Sequence, residues 1–358
     1  MAGSPYASSL GRLKAQLPSF LARESYTALV NAKDVNEIAK SLEASPYGPE
    51  LVQAAASYKG SQLLEIAINR TFVRRNRLAL EASPFAGKPV VGAYLRRWDL
   101  QNIGLILSAK AQGRAVSDAE VFLVSSREIP AGLFAGTMTI DDFRLLLAQP
   151  SLEAIASSLV KFGYGSVLLP LMDTYERTKD IFPLLQALDR DYYQRLLEAS
   201  RFFQGDEWVV RGFVQGEIDQ RNALLLLKGK DGDLPVATVE ARFLEGGQFP
   251  RAAALEAYGA RSVPELVGAL QPRFPTLAEG NGAYQESRSL TGYEVELSRD
   301  RALRELKRLR TYPLSLAMIF TYLLLAELER TDLRRIIYGK VYGVSASALT
   351  NLLVLARV

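Results

Sequence analysis

The sequence predicts an all-α fold built from three similar helical domains, and three observations carry that reading. The first is a polar skeleton in which an acid is followed three residues later by an amide or acid, and eight after that by a lysine. It occurs as Asp99, Asn102 and Lys110, as Asp219, Asn222 and Lys230, and as Glu329, Asp332 and Lys340. At about 100° per residue these positions fall within roughly 80° of one another on a helix, so each segment carries one narrow polar seam on a mostly apolar surface. The second is an arginine upstream of each acid: Arg70 and Arg190 precede theirs by 29 residues and Arg299 precedes Glu329 by 30. The third is a shared helix-entry signature, a capping side chain followed by an apolar residue and then an acid, at Asp34, Thr139 and Ser262.

In chain order, Phe20 to Leu42 opens with short amphipathic helices, the second capped by Asp34. After Pro46-Tyr47-Gly48-Pro49 comes a long helix centred on Ile68-Asn69-Arg70, and the chain turns at Ser83-Pro84-Phe85-Ala86-Gly87 before the first seam helix, Trp98 to Gly113. Val121 to Val124, leading to Pro130, repeats the plan of Leu244 to Pro250, so both read as connections. Leu188-Asp189-Arg190 and Leu297-Ser298-Arg299 mark the arginine helices of the later copies. Leu234 to Leu244 alternates as a strand would at Val236, Thr238 and Glu240, while its helical surroundings argue for helix; periodicity leaves both open. Pro313 to Ala326 is apolar but interrupted by Ser315, Thr321 and Tyr322 and ended by Glu327, short of the roughly 20 residues that span a bilayer, and reads as a core helix. Ser345 to Ala356 closes the chain as an amphipathic helix. Copies about 110 to 120 residues apart are too long for solenoid units of about 20 to 50, which places domains at 1–113, 114–232 and 233–358.

Composition narrows the chemistry. With 48% hydrophobic and 23% charged residues the chain is globular, and a net charge of +4 is too small for a dedicated nucleic-acid binder. The absence of cysteine removes disulfides and thiolates and fits an intracellular chain; the absence of histidine removes the commonest general base and metal ligand, and with them Ser-His-Asp and His-x-x-x-His chemistry. Met1 to Leu10 carries no signal-peptide pattern, and a cytoplasmic location is expected.

No Gly-x-x-x-x-Gly-Lys-Ser/Thr loop is present, so ATP binding is not supported. Asp189-Arg190-Asp191 and Lys230-Asp231-Gly232-Asp233 offer too few carboxylates for a calcium loop, and no cofactor or metal is expected. Glu217 with Asp219, and Glu327 with Glu329, are acid pairs, but residues two apart point to different helix faces. The seam residues themselves either satisfy neighbouring helices or face a partner. Asn69-Arg70-Thr71 is a glycosylation sequon only in a secreted chain. Arginine clusters at 74–77, 96–97, 304–310 and 330–335 read mainly as solvated faces, with acidic partners or lipid head groups as the alternative.

Three helical repeats that include Tyr94-Leu95-Arg96-Arg97-Trp98-Asp99-Leu100-Gln101-Asn102-Ile103, a C-terminal Glu327-Leu328-Glu329-Arg330-Thr331-Asp332-Leu333-Arg334-Arg335 and an N-terminal Leu42-Glu43-Ala44-Ser45-Pro46-Tyr47-Gly48 resemble the C subunit of archaeal A-type and bacterial V-type rotary ATPases, the counterpart of the eukaryotic d subunit. The chain departs from that family's pattern at Asp332, where asparagine is usual, and in long linkers at 231–247 and 271–292. The resemblance implies three domains in a funnel about a pseudo-threefold axis, one copy per complex, without catalysis. It would be mounted on the membrane proteolipid ring at the inner face of the cell membrane and receive the central stalk. The alternatives from the residues alone are a free-standing helical scaffold for an acidic protein or anionic membrane surface, and an enzyme using carboxylates and lysines. Antiparallel packing within each hairpin would bring Arg70 to Asp99, Arg190 to Asp219 and Arg299 to Glu329.

Overall fold

The computed structural model describes residues 6–113, 138–201 and 206–358. Every regular element among them is a helix, so the fold is all-α. The chain divides into two compact units, one joining Met1–Gly48 to Gln204–Val358 and the other formed by Pro49–Phe203. The connection from Val121 through Val124 to Pro130 lies outside the described residues.

The chain begins with α1 (Ala7–Lys14), α2 (Arg23–Asn31) and α3 (Val35–Glu43). Asp34 caps α3 as its position indicates, accepting from the N–H groups of Asn36 and Glu37. In the second unit, a short helix the sequence did not show, α4 (Gly48–Ala54), precedes the long α5 (Gly60–Ala82). Ser83, extended as a residue before proline must be, ends α5. A short helix, α6 (Lys88–Leu95), leads into the first seam helix, α7 (Arg97–Ala111). Beyond the undescribed stretch stand α8 (Ile140–Ala148), started by a Thr139 capping box, and α9 (Leu152–Ser158), capped by Ser151. Then come α10 (Gly165–Leu168), α11 (Met172–Thr178) and α12 (Phe182–Arg201), with α12 packed on α6 and α7.

In the first unit, α13 (Glu207–Asp231) carries the second seam. The ambiguous segment is a helix, α14 (Val236–Arg242), with Val239 its buried residue. One buried residue in seven means that the alternating polar pattern had no sheet face to answer to. α15 (Arg251–Tyr258) and α16 (Val263–Leu270), the latter capped by Ser262, cover the C-terminal half of α13. The long linker at 271–292 is itself structured, with a 3-10 turn at Leu277–Gly280 and α17 (Asn281–Ser287). Next come α18 (Thr291–Thr311) and α19 (Ala317–Val341), which pack on one another and on α13. The apolar run that opens α19 is buried, Leu316 through Leu324 being core, and no helix is long and apolar enough to cross a membrane among the described residues. The last helix is shorter than its amphipathic pattern: α20 (Ala346–Asn351) stops and Leu355–Arg357 forms a 3-10 turn, because Asp332 takes the N–H groups of Val354 and Leu355 away from a helical ladder.

The three seam helices end alike. α7, α13 and α19 each stop one residue past the seam lysine, and two residues further the backbone turns left-handed, at Gly113 (φ 64°), Asp233 (φ 49°) and Gly343 (φ 70°). In the second and third copies a six-to-one bond closes the turn, from Leu234 N–H to Gly229 O and from Val344 N–H to Gly339 O, both 2.8 Å. Lysine in the last turn complements the negative end of each helix dipole.

Candidate functional site

The seam places buried carboxylates at matching positions along three helices. Asp99, Asp219 and Glu329 are each 0% exposed, and the residues three further on, Asn102, Asn222 and Asp332, no more than 1%. Apolar neighbours at the next helical positions are equally buried, among them Ile103, Ile106 and Leu107 in the first copy and Leu333, Ile336 and Ile337 in the third. Lys110, Lys230 and Lys340 sit half-buried at the helix ends; Lys230 lies 4.3 Å from the centre of the Tyr258 ring. A carboxylate removed from water must be met by donors, and the structure supplies different donors in each copy.

Asp99 accepts from the Tyr164 hydroxyl at 3.2 Å, which in turn accepts from Arg96 Nε at 3.1 Å. Asp219 Oδ1 accepts the Phe249 N–H at 2.9 Å, and Oδ2 accepts from Arg273 Nη2. Gly247 passes so close that a Cβ there would lie 2.2 Å from Asp219 Oδ1. Glu329, one methylene longer, reaches three donors on the N-terminal segment: Leu21 N–H at 2.7 Å, Tyr26 Oη at 3.3 Å and Tyr47 Oη at 2.7 Å. Burial first, then the Glu329 charge, pushes the Tyr26 phenol well above its usual range and keeps it a donor.

The second seam position has one task in two copies. Asn222 accepts from Leu244 N–H at 2.9 Å and donates to its carbonyl at 2.8 Å, pinning a chain 22 residues away. Asp332 grips the equivalent chain, also 22 residues away, by accepting from Val354 N–H at 2.9 Å and from Leu355 N–H at 2.8 Å. Replacing asparagine by aspartate therefore exchanges one donor for a second acceptor bond and keeps the clasp. Arg335 reinforces it, bonding Asp332 at 3.3 Å and Leu352 O at 3.0 Å.

Burial raises the Asp332 carboxyl to about 6, against the lowering pull of the two N–H groups and Arg335. A carboxyl raised on folding contributes stability below its unfolded value, near 3.8, and that contribution is lost as pH rises through 6. Asp332→Asn is therefore expected to gain about 2–3 kcal/mol relative to the parent chain between pH 4 and pH 7. Urea unfolding of both proteins at the two pH values checks this; a constant difference between them would contradict it.

The upstream arginines take separate courses. Arg70 is 2% exposed in α5. Arg190 is exposed on α12. Arg299 bonds Glu296 at 3.2 Å and also meets Glu279, and Arg357 bonds the same two glutamates at 2.6 and 2.9 Å, closing an alternating ring of four charges at the C-terminal turn. The guanidinium that meets Asp219 belongs to Arg273, which the repeat spacing did not single out; nor did it single out Tyr164, Tyr26 or Tyr47.

A second ionic band joins α13 to α18. Arg301 bonds Glu217 at 2.6 Å, both side chains 6% exposed or less, with the guanidinium 4.7 Å from the Phe213 ring centre. Arg304 meets Asp300 at 3.1 Å and Arg308 meets Glu305 at 3.2 Å. Burial raises the carboxyls of Asp300 and Glu305 and lowers Arg304. The arginine clusters are thus not mainly solvated faces. Arg75 and Arg330 are buried and Arg304 and Arg308 turn inward, while Lys307 and Arg310 stay exposed. Glu217 and Asp219 serve different arginines, as residues two apart on a helix should. Among the described residues no group of three or more acids converges as a metal site would require.

Known proteins resemble the chain along nearly its whole length. The sequence profile described as ATP synthase (C/AC39) subunit matches residues 10–352. A protein of Thermoplasma acidophilum, named as the C subunit of an A-type ATP synthase, is 35% identical over 351 residues, covering 98% of both chains. The same-named protein of Thermoplasma volcanium is 32% identical over 98% of both, and that of Halorubrum lacusprofundi 29% identical over 97% of this chain and 96% of its own.

Proposed function

Since the chain belongs to the ATP synthase (C/AC39) subunit family, we propose that it is the non-catalytic rotor part that joins the central stalk to the membrane proteolipid ring of a rotary ATPase. The observation that carries this reading is the match along nearly the whole chain, residues 10–352, with relatives that are themselves named as the C subunit of an A-type ATP synthase. In this reading torque passes through the protein while ions cross the ring, coupled to ATP synthesis or hydrolysis, and the protein stands once per complex at the inner face of the membrane. The three repeats, 1–113, 114–232 and 233–358, form a funnel that takes the stalk, and the seam acids fasten each repeat to another: Asp99 through Tyr164, Asp219 through Phe249 and Arg273, and Glu329 through Leu21, Tyr26 and Tyr47.

The helices support a mechanical role. Two of the seam helices, α13 and α19, run for 25 residues each without a break. Their polar contacts are buried and their cores closely packed, so they deform little under load.

Reconstitution with ring and stalk proteins tests the proposal. ATP hydrolysis is expected to drive ion transport only when this chain is present. Equal coupling in its absence, or failure of the purified chain to bind either partner, would remove the proposal.

A further inference from the structure

The turn between α18 and α19 carries apolar surface that the packing leaves uncovered. Tyr312 is 44% exposed, Leu314 53% and, from the start of α13, Trp208 48%. The Trp208 and Tyr312 rings meet edge to face with centroids 4.5 Å apart, so the two aromatics form one patch. Pro313, next to Tyr312, is exposed as well. Three exposed basic residues lie beside it: Lys307 and Arg310 on the last turns of α18, and Arg211 on the first turns of α13. The acids described nearby face inward, Asp206 accepting the Leu316 N–H at 3.0 Å and Glu305 paired with Arg308.

We propose that this aromatic tip with its basic collar rests in the headgroup region of an anionic lipid bilayer. Tryptophan and tyrosine favour that layer because each has an apolar body and one polar handle, and lysine and arginine beside them are drawn to anionic headgroups. The size of the patch decides between lipid and protein. A stable protein interface buries about 800 Å² per partner around a well-packed core, and a few partly exposed side chains on a turn offer no such core. A bilayer surface needs no matching shape. The contact is direct, so it does not depend on ring or stalk, and it goes beyond the coupling role proposed above.

The chain's two tryptophans make the test specific. Trp98 is 4% exposed and Trp208 48%, so any lipid-induced change in tryptophan emission reports Trp208. The full chain is mixed with vesicles of phosphatidylcholine alone, or with phosphatidylserine added, and followed by flotation, emission wavelength and quenching by lipids brominated near the headgroup. The expected result is flotation with anionic vesicles only, accompanied by a blue shift and quenching, and reversed by about 0.5 M salt, roughly the concentration that shrinks electrostatic reach below 5 Å. Trp208→Ser with Tyr312→Ser is expected to lower vesicle partition at least tenfold with an unchanged thermal melt. Lys307→Glu with Arg310→Glu, which leaves the aromatics in place, is expected to do the same. No flotation, flotation without an emission change, or flotation that survives both pairs of substitutions would overturn the proposal. So would binding to polyglutamate without binding to anionic vesicles, which would identify an acidic protein as the occupant. Ring binding by the serine variant, measured alongside, keeps the outcome for lipid separate from the outcome for coupling.

Discussion

Replacing Arg301 by alanine is expected to lower the unfolding free energy by about 3–5 kcal/mol, among the largest losses open to a single substitution in this chain. Arg301 and Glu217 are both nearly inaccessible to water and bonded at 2.6 Å between α18 and α13. Taking away the guanidinium removes a countercharge from a buried carboxylate and opens a space against the Phe213 ring. The pair itself gains little over an apolar one, because desolvation of both ions offsets their attraction, and a second expectation follows: Arg301→Met combined with Glu217→Leu should recover most of the loss. Urea unfolding of the two single variants and the double variant gives the coupling directly. Additive losses would show that the two side chains act independently.

Glu329→Ala is expected to cost about 4 kcal/mol and to release the N-terminal segment. Three donors converge on this carboxylate, and the two phenols among them, Tyr26 and Tyr47, are each 1% exposed. Stranding a buried donor costs about 1–3 kcal/mol, so the loss exceeds that of an ordinary hydrogen bond. Limited proteolysis should cut the variant first between Leu21 and Tyr47, while Glu329→Gln, which keeps an acceptor, should lose less than half as much. Cleavage spread evenly along the chain would show that Glu329 does not hold this segment in particular.

The difference between what the sequence disclosed and what it withheld is a matter of range. Helix caps at Asp34, Thr139 and Ser262 were readable because each depends on donors two or three residues away. For Asp99, Asp219 and Glu329 the spacing marked a polar seam in an apolar helix but left open whether it meets neighbouring helices or a partner; all three are buried. The partners were not readable. Tyr164, Arg273 and Tyr47 lie 65, 54 and 282 residues from the acids they meet, and nothing local announces such a distance. A faint signal existed in two copies. Tyr47-Gly48 follows the Asp34 cap by 13 residues and Tyr164-Gly165 follows the Ser151 cap by 13, a coincidence that marks both tyrosines as structural. The strand-like alternation of 236–244 misleads for the opposite reason: its polar residues are simply solvated on a short helix.

The pairing of Leu21 with Glu329 spans 308 residues, and it bears on how the chain is made. At about 5–20 residues per second a ribosome needs roughly 15 to 60 s to cover that distance. Throughout that interval Tyr26, Leu29 and Val30, all core residues of the finished unit, lack the C-terminal elements on which α2 packs. Residues 49–203 form a unit of their own and have everything they require much sooner. Nascent molecules should therefore carry a sticky leading segment ahead of a folded middle, a form suited to chaperone capture and prone to pairing with the same segment on a neighbouring polysome.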